Sequence, residues 1–304
     1  MRCVVTGGAG FIGSNLVDRL VDDGHEVMIF DDLSTGKKEN INPKAKHFQF
    51  DIANKNVFEH SVMKELMNGV DVVFHTAAKA RVQPSIEDPV GFNDVNVTGL
   101  LQMLKASVDA GVKRFVYSSS SSVYGDTETF PTPEDTSLNP MSPYALQKLV
   151  GEQYCHLFSE LYDIETVSLR YFNVYGEKQS LTGAYCLVMG IFAQQRLNGE
   201  PMTIRGDGEQ RRDFTYVGDV VEANVLAATS DKIKGGEIYN IGNGDNRSVN
   251  QLADLIGGDK VHEDPVIEPK QTLADNSKAK EDLGWSPTVV LEDWVEKYKE
   301  ELGI

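Results

Sequence analysis

Cysteine is scarce in this sequence: Cys3, Cys155 and Cys186 are scattered over 304 residues. That number and spacing exclude a disulfide framework and a cysteine zinc cluster. Cys3 falls in an apolar run and reads as a small core residue. His47, His60, His75, His156 and His262 have no metal-ligand spacing among them and read as structural or surface residues, so no metal site is expected. Hydrophobic runs are short. None approaches the roughly 18 residues of a membrane span, and no basic leader with a small-residue cleavage site opens the chain. The expectation is a soluble, cytoplasmic protein with no membrane partner. Positive charge is the third shortage: 29 Lys and Arg face 46 Asp and Glu, a formal net charge of −17. Such a surface repels nucleic acid and anionic lipid. An anionic substrate would need a local basic pocket.

Glycine, by contrast, is concentrated at the start. The apolar run Cys3 to Val5 reads as a buried strand, and Gly7, Gly8, Gly10 and Gly13 follow at once. Phe11, Ile12, Leu16, Val17 and Leu20 then recur at helical spacing. Strand, glycine turn and helix together form the phosphate-cradling opening of a dinucleotide fold. The glycines permit the turn, let the backbone approach a pyrophosphate, and let helix and strand pack closely. The first amides of the helix point at the anion. The spacing is Gly7-x-x-Gly10-x-x-Gly13 rather than the stricter G-x-G-x-x-G, and a glycine-rich turn that binds nothing would share it. A second strand over 26–30 ends on Asp31, where an acidic residue would hold a ribose 2′-hydroxyl and repel a 2′-phosphate. NAD is therefore favoured over NADP. Lys37 and Lys38 read as solvated loop charges.

Strands and helices alternate over the first 172 residues. The pattern predicts strands at 2–6, 26–30, 46–50, 70–76, 114–119 and 165–171, and helices at 11–22, 55–67, 89–110 and 143–162. Short, nearly continuous apolar strands suit a parallel sheet covered on both faces. The predicted class is α/β, a doubly wound parallel (Rossmann) sheet with a smaller, discontinuous C-terminal substrate lobe. The nucleotide domain would take 1–172 and about 214–242, and the substrate lobe 173–213 and 243–304. Helices are also predicted at 187–197, 219–229, 248–256 and from Leu291, with a strand over 237–242.

The chemistry gathers in two segments. Phe115 to Gly125 carries five serines in a row, Ser118 to Ser122, at a strand end. Ser142 is a suitable N-cap with Pro143 at the first helical position, which sets Tyr144 and Lys148 one turn apart on one helix face. A nearby ammonium stabilises phenolate, so Lys148 is expected to lower the pKa of Tyr144. That phenolate could take a proton from a sugar hydroxyl, with Ser120 bonded to the same oxygen. An ordinary amphipathic helix also carries a Tyr and a Lys at this spacing. The glycine turn upstream and the serine strand end favour the chemical reading.

With these motifs the sequence resembles the extended short-chain dehydrogenase/reductases of the NAD-dependent epimerase/dehydratase group, and within it the UDP-hexose 4-epimerases. The resemblance runs over nearly the whole chain. It is carried by Thr6 to Gly13, Asp51-Ile52, His75 to Ala78, Asn96 to Gly99, Ser118 to Gly125, Pro143 to Lys148, Leu169 to Gly176 and Arg212 to Phe214. It implies Ser120, Tyr144 and Lys148 as catalytic residues. It implies a resident NAD held by Gly7, Gly10, Phe11, Ile12, Gly13, Asp31, Asp51, Ile52, Ala77, Ala78, Asn96, Ser118, Tyr144, Lys148 and Tyr171. A UDP-sugar would meet Ser120 and Tyr144 at the hexose and Asn173 and Arg212 at the diphosphate.

Departures from the family pattern are informative. Gln147 stands where Ser or Thr is frequent, with little effect expected. Arg81 replaces a commonly small residue; it either touches the sugar or a phosphate, or is solvated. Pro265 lies near the place of a second diphosphate arginine, for which Lys270 is the substitute to consider. Thr272 is small where some relatives are bulky, which implies room for an N-acetyl group. Ser121 and Ser122 replace the Asp-Glu pair of the dehydratases, and hydroxyls cannot serve as that acid and base. Decarboxylases, which carry Glu in the same run, are disfavoured as well. A uronate 4-epimerase stays open through Arg81, and a catalytically idle NAD-binding regulator would leave the Ser–Tyr–Lys set without purpose. Many relatives pair helices like 89–110 and 143–162 in a four-helix bundle, so a homodimer is expected.

Overall fold

The computed structural model describes all residues except 59–60, 182–185 and 267, so His60 lies outside the described residues. The chain opens with β1 (Arg2–Thr6), α1 (Phe11–Asp22), β2 (Glu26–Phe30) and β3 (Lys46–Phe48). There follow α2 (Lys55–Phe58), α3 (Ser61–Met67), β4 (Val72–His75), α4 (Val82–Glu87), α5 (Pro89–Asn93) and α6 (Leu100–Ala110). Next are β5 (Arg114–Ser120), α7 (Pro143–Leu161), β6 (Glu165–Tyr171), β7 (Val174–Tyr175), α8 (Val188–Leu197), β8 (Met202–Arg205), β9 (Arg211–Arg212) and β10 (Thr215–Tyr216). The chain closes with α9 (Val217–Thr229), β11 (Glu237–Ile241), β12 (Arg247–Ser248), α10 (Val249–Ile256), β13 (Lys260–Glu263), α11 (Ser277–Leu283) and α12 (Leu291–Leu302).

Seven strands form one parallel sheet in the order β11-β6-β5-β4-β1-β2-β3. The doubly wound α/β class is thus observed. The strand order reverses between β1 and β4, where Thr6 pairs with His75, and a crevice opens there beyond the strand ends. Both sheet faces are covered, as their continuous apolar strands require. Leu16, Val17 and Leu20 of α1 pack with Val220 and Val221 of α9 and Trp285 on one face. Leu100, Met103 and Leu104 of α6 pack with Cys155 and Phe158 of α7 on the other. Met189 and Phe192 of α8, Leu252 of α10 and Trp294 of α12 belong to a separate apolar cluster.

Two local features set the chemistry-bearing helix. Ser142 Oγ accepts from Ala145 N at 3.2 Å and Pro143 occupies the first turn, so α7 starts where the sequence places it. Gly151 then lets α7 lie close on β5, since a Cβ there would sit 2.2 Å from Tyr117 Oη.

The predicted helix over 89–110 is interrupted. A π-helical turn, Asp94–Gly99, separates α5 from α6, and it presents Asn96 inward to bond across to α7 and to the loop after β4. Such turns reorient a side chain at the cost of regular bonding. The predicted helix 55–67 is described as α2 and α3, with 59–60 between them outside the described residues. The strands predicted at 46–50 and 70–76 are shorter, and α4 and α11 have no counterpart in the sequence reading.

Candidate active site

A cleft of about 2060 Å³ runs over the C-terminal ends of the strands. Gly7, Gly10, Phe11, Ile12 and Gly13 line its floor at the start of α1. Gly7 has φ +68°, and a Cβ on it would lie 2.8 Å from the Ala77 backbone. A Cβ on Gly13 would lie 2.2 Å from Gly7 O. The glycines therefore let β1, α1 and the loop after β4 converge, with the amides of Phe11 and Ile12 lacking an acceptor among the described residues. Asp31, at the end of β2, is buried. Its Oδ2 accepts from Ala9 N at 2.9 Å and its Oδ1 from Leu33 N at 2.8 Å. Free helix-start amides beside a fixed carboxylate suit a pyrophosphate and a ribose, so the residues present fit a dinucleotide. Asp51, Ile52, Ala77 and Ala78 also line this part of the cleft, Asp51 exposed and Ile52 buried.

Ser120, Tyr144 and Tyr171 line the same cleft, as do Arg81, Asn173, Arg212 and Thr272. Asn96, Ser118 and Lys148 lie behind the wall, each under 7% exposed (2%, 6% and 3%). Lys148 Nζ donates to Ser118 O at 2.7 Å and lies 5.9 Å from the centre of the Tyr144 ring. Burial pushes Lys148 down to about 8, with Cys155 and Glu152 acting in the opposite direction. Tyr144 departs from expectation: burial holds its phenol above the ordinary tyrosine range, and only a hydrogen bond with Ser120 pulls it down. Lys148 Nζ is bonded to the strand carbonyl and makes no direct bond to the phenol oxygen. Tyr171 OH bonds Ser118 Oγ at 3.0 Å and accepts from Asn224 Nδ2 at 2.8 Å, and burial pushes it up to about 12. Asn96 Nδ2 donates to Gln147 Oε1 and to Lys79 O, both at 2.9 Å, so Gln147 anchors the π turn to α7.

The substrate side adds contacts that the sequence does not signal. Arg212 is not a free positive charge: its Nη2 pairs with Glu268 Oε2 at 2.5 Å. Burying a guanidinium beside a carboxylate offsets part of its desolvation cost. Lys270 is exposed and is not among the residues lining the cleft. Thr272 is a bonded residue of the lining. Its Oγ1 accepts from Asn173 Nδ2 and from Asp213 N, both at 3.1 Å, so it fixes Asn173. Arg81 is half-buried with φ +101°, donates to Cys186 O, and pairs with no carboxylate among the described residues. Four residues on, Ser85 Oγ accepts from Tyr144 N at 3.1 Å, which ties the Arg81 loop to the start of α7.

Several residues were missed. Asn224, Ser85 and Glu268 carry no local signal. Glu152 and Arg170 did: Glu152 follows Lys148 at helical spacing, and a charge inside the apolar strand β6 requires a buried partner.

A family model, the NAD dependent epimerase/dehydratase family, matches residues 3–242. A putative UDP-glucose 4-epimerase of Methanocaldococcus jannaschii is 40% identical over 97% of this chain and 96% of its own. The Thermotoga maritima UDP-glucose 4-epimerase, solved with UDP-glucose, superposes with a TM-score of 0.92 at 38% identity, over 99% of this chain and 100% of that one. The Bacillus cereus UDP-glucuronic acid 4-epimerase, solved with UDP-glucuronic acid and NAD, gives a TM-score of 0.89 at 34% identity, over 100% and 99%.

Proposed function

The chain belongs to the NAD-dependent epimerase/dehydratase family, and from that premise we propose that it reversibly inverts carbon 4 of a UDP-hexose through a transient 4-keto sugar. The observation that carries this reading is the convergence of Tyr144, Ser120 and the Lys148–Ser118 pair at one wall of a cleft whose floor is a glycine turn. When bound, NAD supplies an acceptor that takes a hydride and returns it within one turnover. Tyr144 takes the proton of the carbon-4 hydroxyl at its phenol oxygen and returns it after the sugar has turned. Ser120 holds the same oxygen, and Lys148 keeps a positive charge behind the ring. Asn173 and Arg212 grip the diphosphate, which requires Arg212 to exchange Glu268 for phosphate oxygens. A held diphosphate and a loosely held hexose let both faces of carbon 4 be presented. Thr272, a small side chain in the cleft lining, supports acceptance of UDP-GlcNAc and UDP-GalNAc as well. The exposed apolar side chains Val90, Leu146, Leu157 and Leu161 support a homodimer.

One observation favours a second reading. Arg81 is a half-buried cation without a carboxylate partner among the described residues, and a UDP-uronate would supply one. Incubation with UDP-glucose, without added reductant, is expected to give UDP-galactose. UDP-GlcNAc and UDP-glucuronate run in parallel rank the substrates. No product from any of the three overturns the epimerase reading.

A further inference from the structure

Behind the reaction wall lies a buried polar chain that the proposed chemistry does not use. Glu152 follows Tyr144 by two turns and Lys148 by one, so all three share a face of α7. It is 3% exposed. Its Oε1 accepts from Ser119 Oγ at 2.5 Å and from Arg170 Nε at 2.9 Å, and its Oε2 accepts from Arg170 Nη2 at 2.8 Å. Ser119 sits between Ser118, whose carbonyl takes Lys148 Nζ, and Ser120. Arg170 precedes Tyr171, whose hydroxyl meets Ser118 Oγ. One carboxylate thus joins α7, β5 and β6, the elements that supply Tyr144, Ser120 and Tyr171. Ion pairs at this depth rarely stabilise a fold more than well-packed apolar side chains would. Stability alone is a poor reason for this one.

We propose that Glu152 is a positioning residue for the reaction: it fixes the Ser118–Ser120 strand end against α7 and supplies the negative charge that balances the buried ammonium of Lys148. The proposal rests on the epimerase reading above. The groups that face Lys148 are Tyr144, Glu152 and Cys155 from α7, the Tyr117 ring of β5 at 5.0 Å, and His75 of β4, which stacks on Tyr117 at 6.1 Å. Burial raises the Cys155 thiol and the Tyr117 phenol, so Glu152, paired with Arg170, is the carboxylate of the set. Arg170 pairs with that carboxylate through Nε and Nη2 and holds it in place.

The test is the pH dependence of kcat and KM for UDP-glucose conversion in wild type, Glu152→Gln and Glu152→Gln/Arg170→Met. In Glu152→Gln the basic limb of kcat is expected to move to lower pH by about one unit. KM should stay within about threefold, because substrate contacts are untouched. In the double variant both charges are gone, and the limb is expected between the other two. A role confined to scaffolding would lower kcat and leave the limb where it is, and that result overturns the proposal. If Glu152→Gln does not fold, the double variant, which leaves no unpaired guanidinium, decides by the same criterion. A wild type without turnover on UDP-glucose, UDP-GlcNAc and UDP-glucuronate overturns the epimerase reading and this proposal with it; an unmoved limb overturns the proposal alone.

Discussion

Tyr144 lines the cleft, half-buried, with its phenol bonded to Ser120, and the lysine one turn on is tied to a strand carbonyl rather than to the phenol oxygen. The pair therefore acts through charge behind the ring. Tyr144→Phe keeps the ring and removes the proton carrier. It is expected to retain bound NAD and the wild-type melting temperature while kcat falls by about 10²–10⁴-fold. Near-normal turnover would remove Tyr144 from the chemistry. His75 gives a second expectation. Burial depresses its pKa from 6.5 to about 3, with the charge of Lys148 adding to the effect. Between those values the unfolded chain binds the extra proton, so this contribution is complete above about pH 6.5 and is lost as pH falls toward 3. Asp213, buried and raised to about 6, has the opposite sign: its contribution is lost as pH rises through that value. Subtracting the stability curve of His75→Gln from that of wild type should isolate a slope approaching 1.4 kcal/mol per pH unit in the acid window. A flat difference curve would mean His75 is charged in the folded protein.

At the scale of the element, the glycine turn and α7 were both legible in the sequence, because their signals are local: four glycines, then Ser142-Pro143 ahead of a Tyr and a Lys. The π turn was not. Its six residues read as ordinary helix, and the bonds of Asn96 to Lys79 and Gln147 tie it across the fold. The turn after β1 is tight enough to test. In Gly13→Ala the new methyl would meet Gly7 O at 2.2 Å and Thr76 Oγ1 at 2.8 Å. The expected cost is about 1–3 kcal/mol of stability, with loss of co-purifying NAD. Unfolding curves and the absorbance of released dinucleotide read both. Undiminished NAD content would show that the turn yields without reshaping the cofactor floor.

For the whole molecule, the apolar side chains left outside on α5 and α7 belong to the helices that the family resemblance assigns to a dimer. Leu157 and Leu161 are 46% and 62% exposed. The wild type is expected to sediment as a dimer and Leu157→Glu/Leu161→Glu as a monomer. Equal sedimentation of the two would remove this face as the contact. The sequence by itself determined the layered α/β plan, the glycine turn, the acidic end of β2 and the Tyr144–Lys148 register, since each depends on neighbours within a few residues. Tertiary structure alone decided the electrostatics. Glu268 meets Arg212 from 56 positions away, Asn173 finds Thr272 across 99, and Ser119 reaches Glu152 across 33. A charge is tuned by what surrounds it in space, and chain folding, not local spacing, chooses those surroundings.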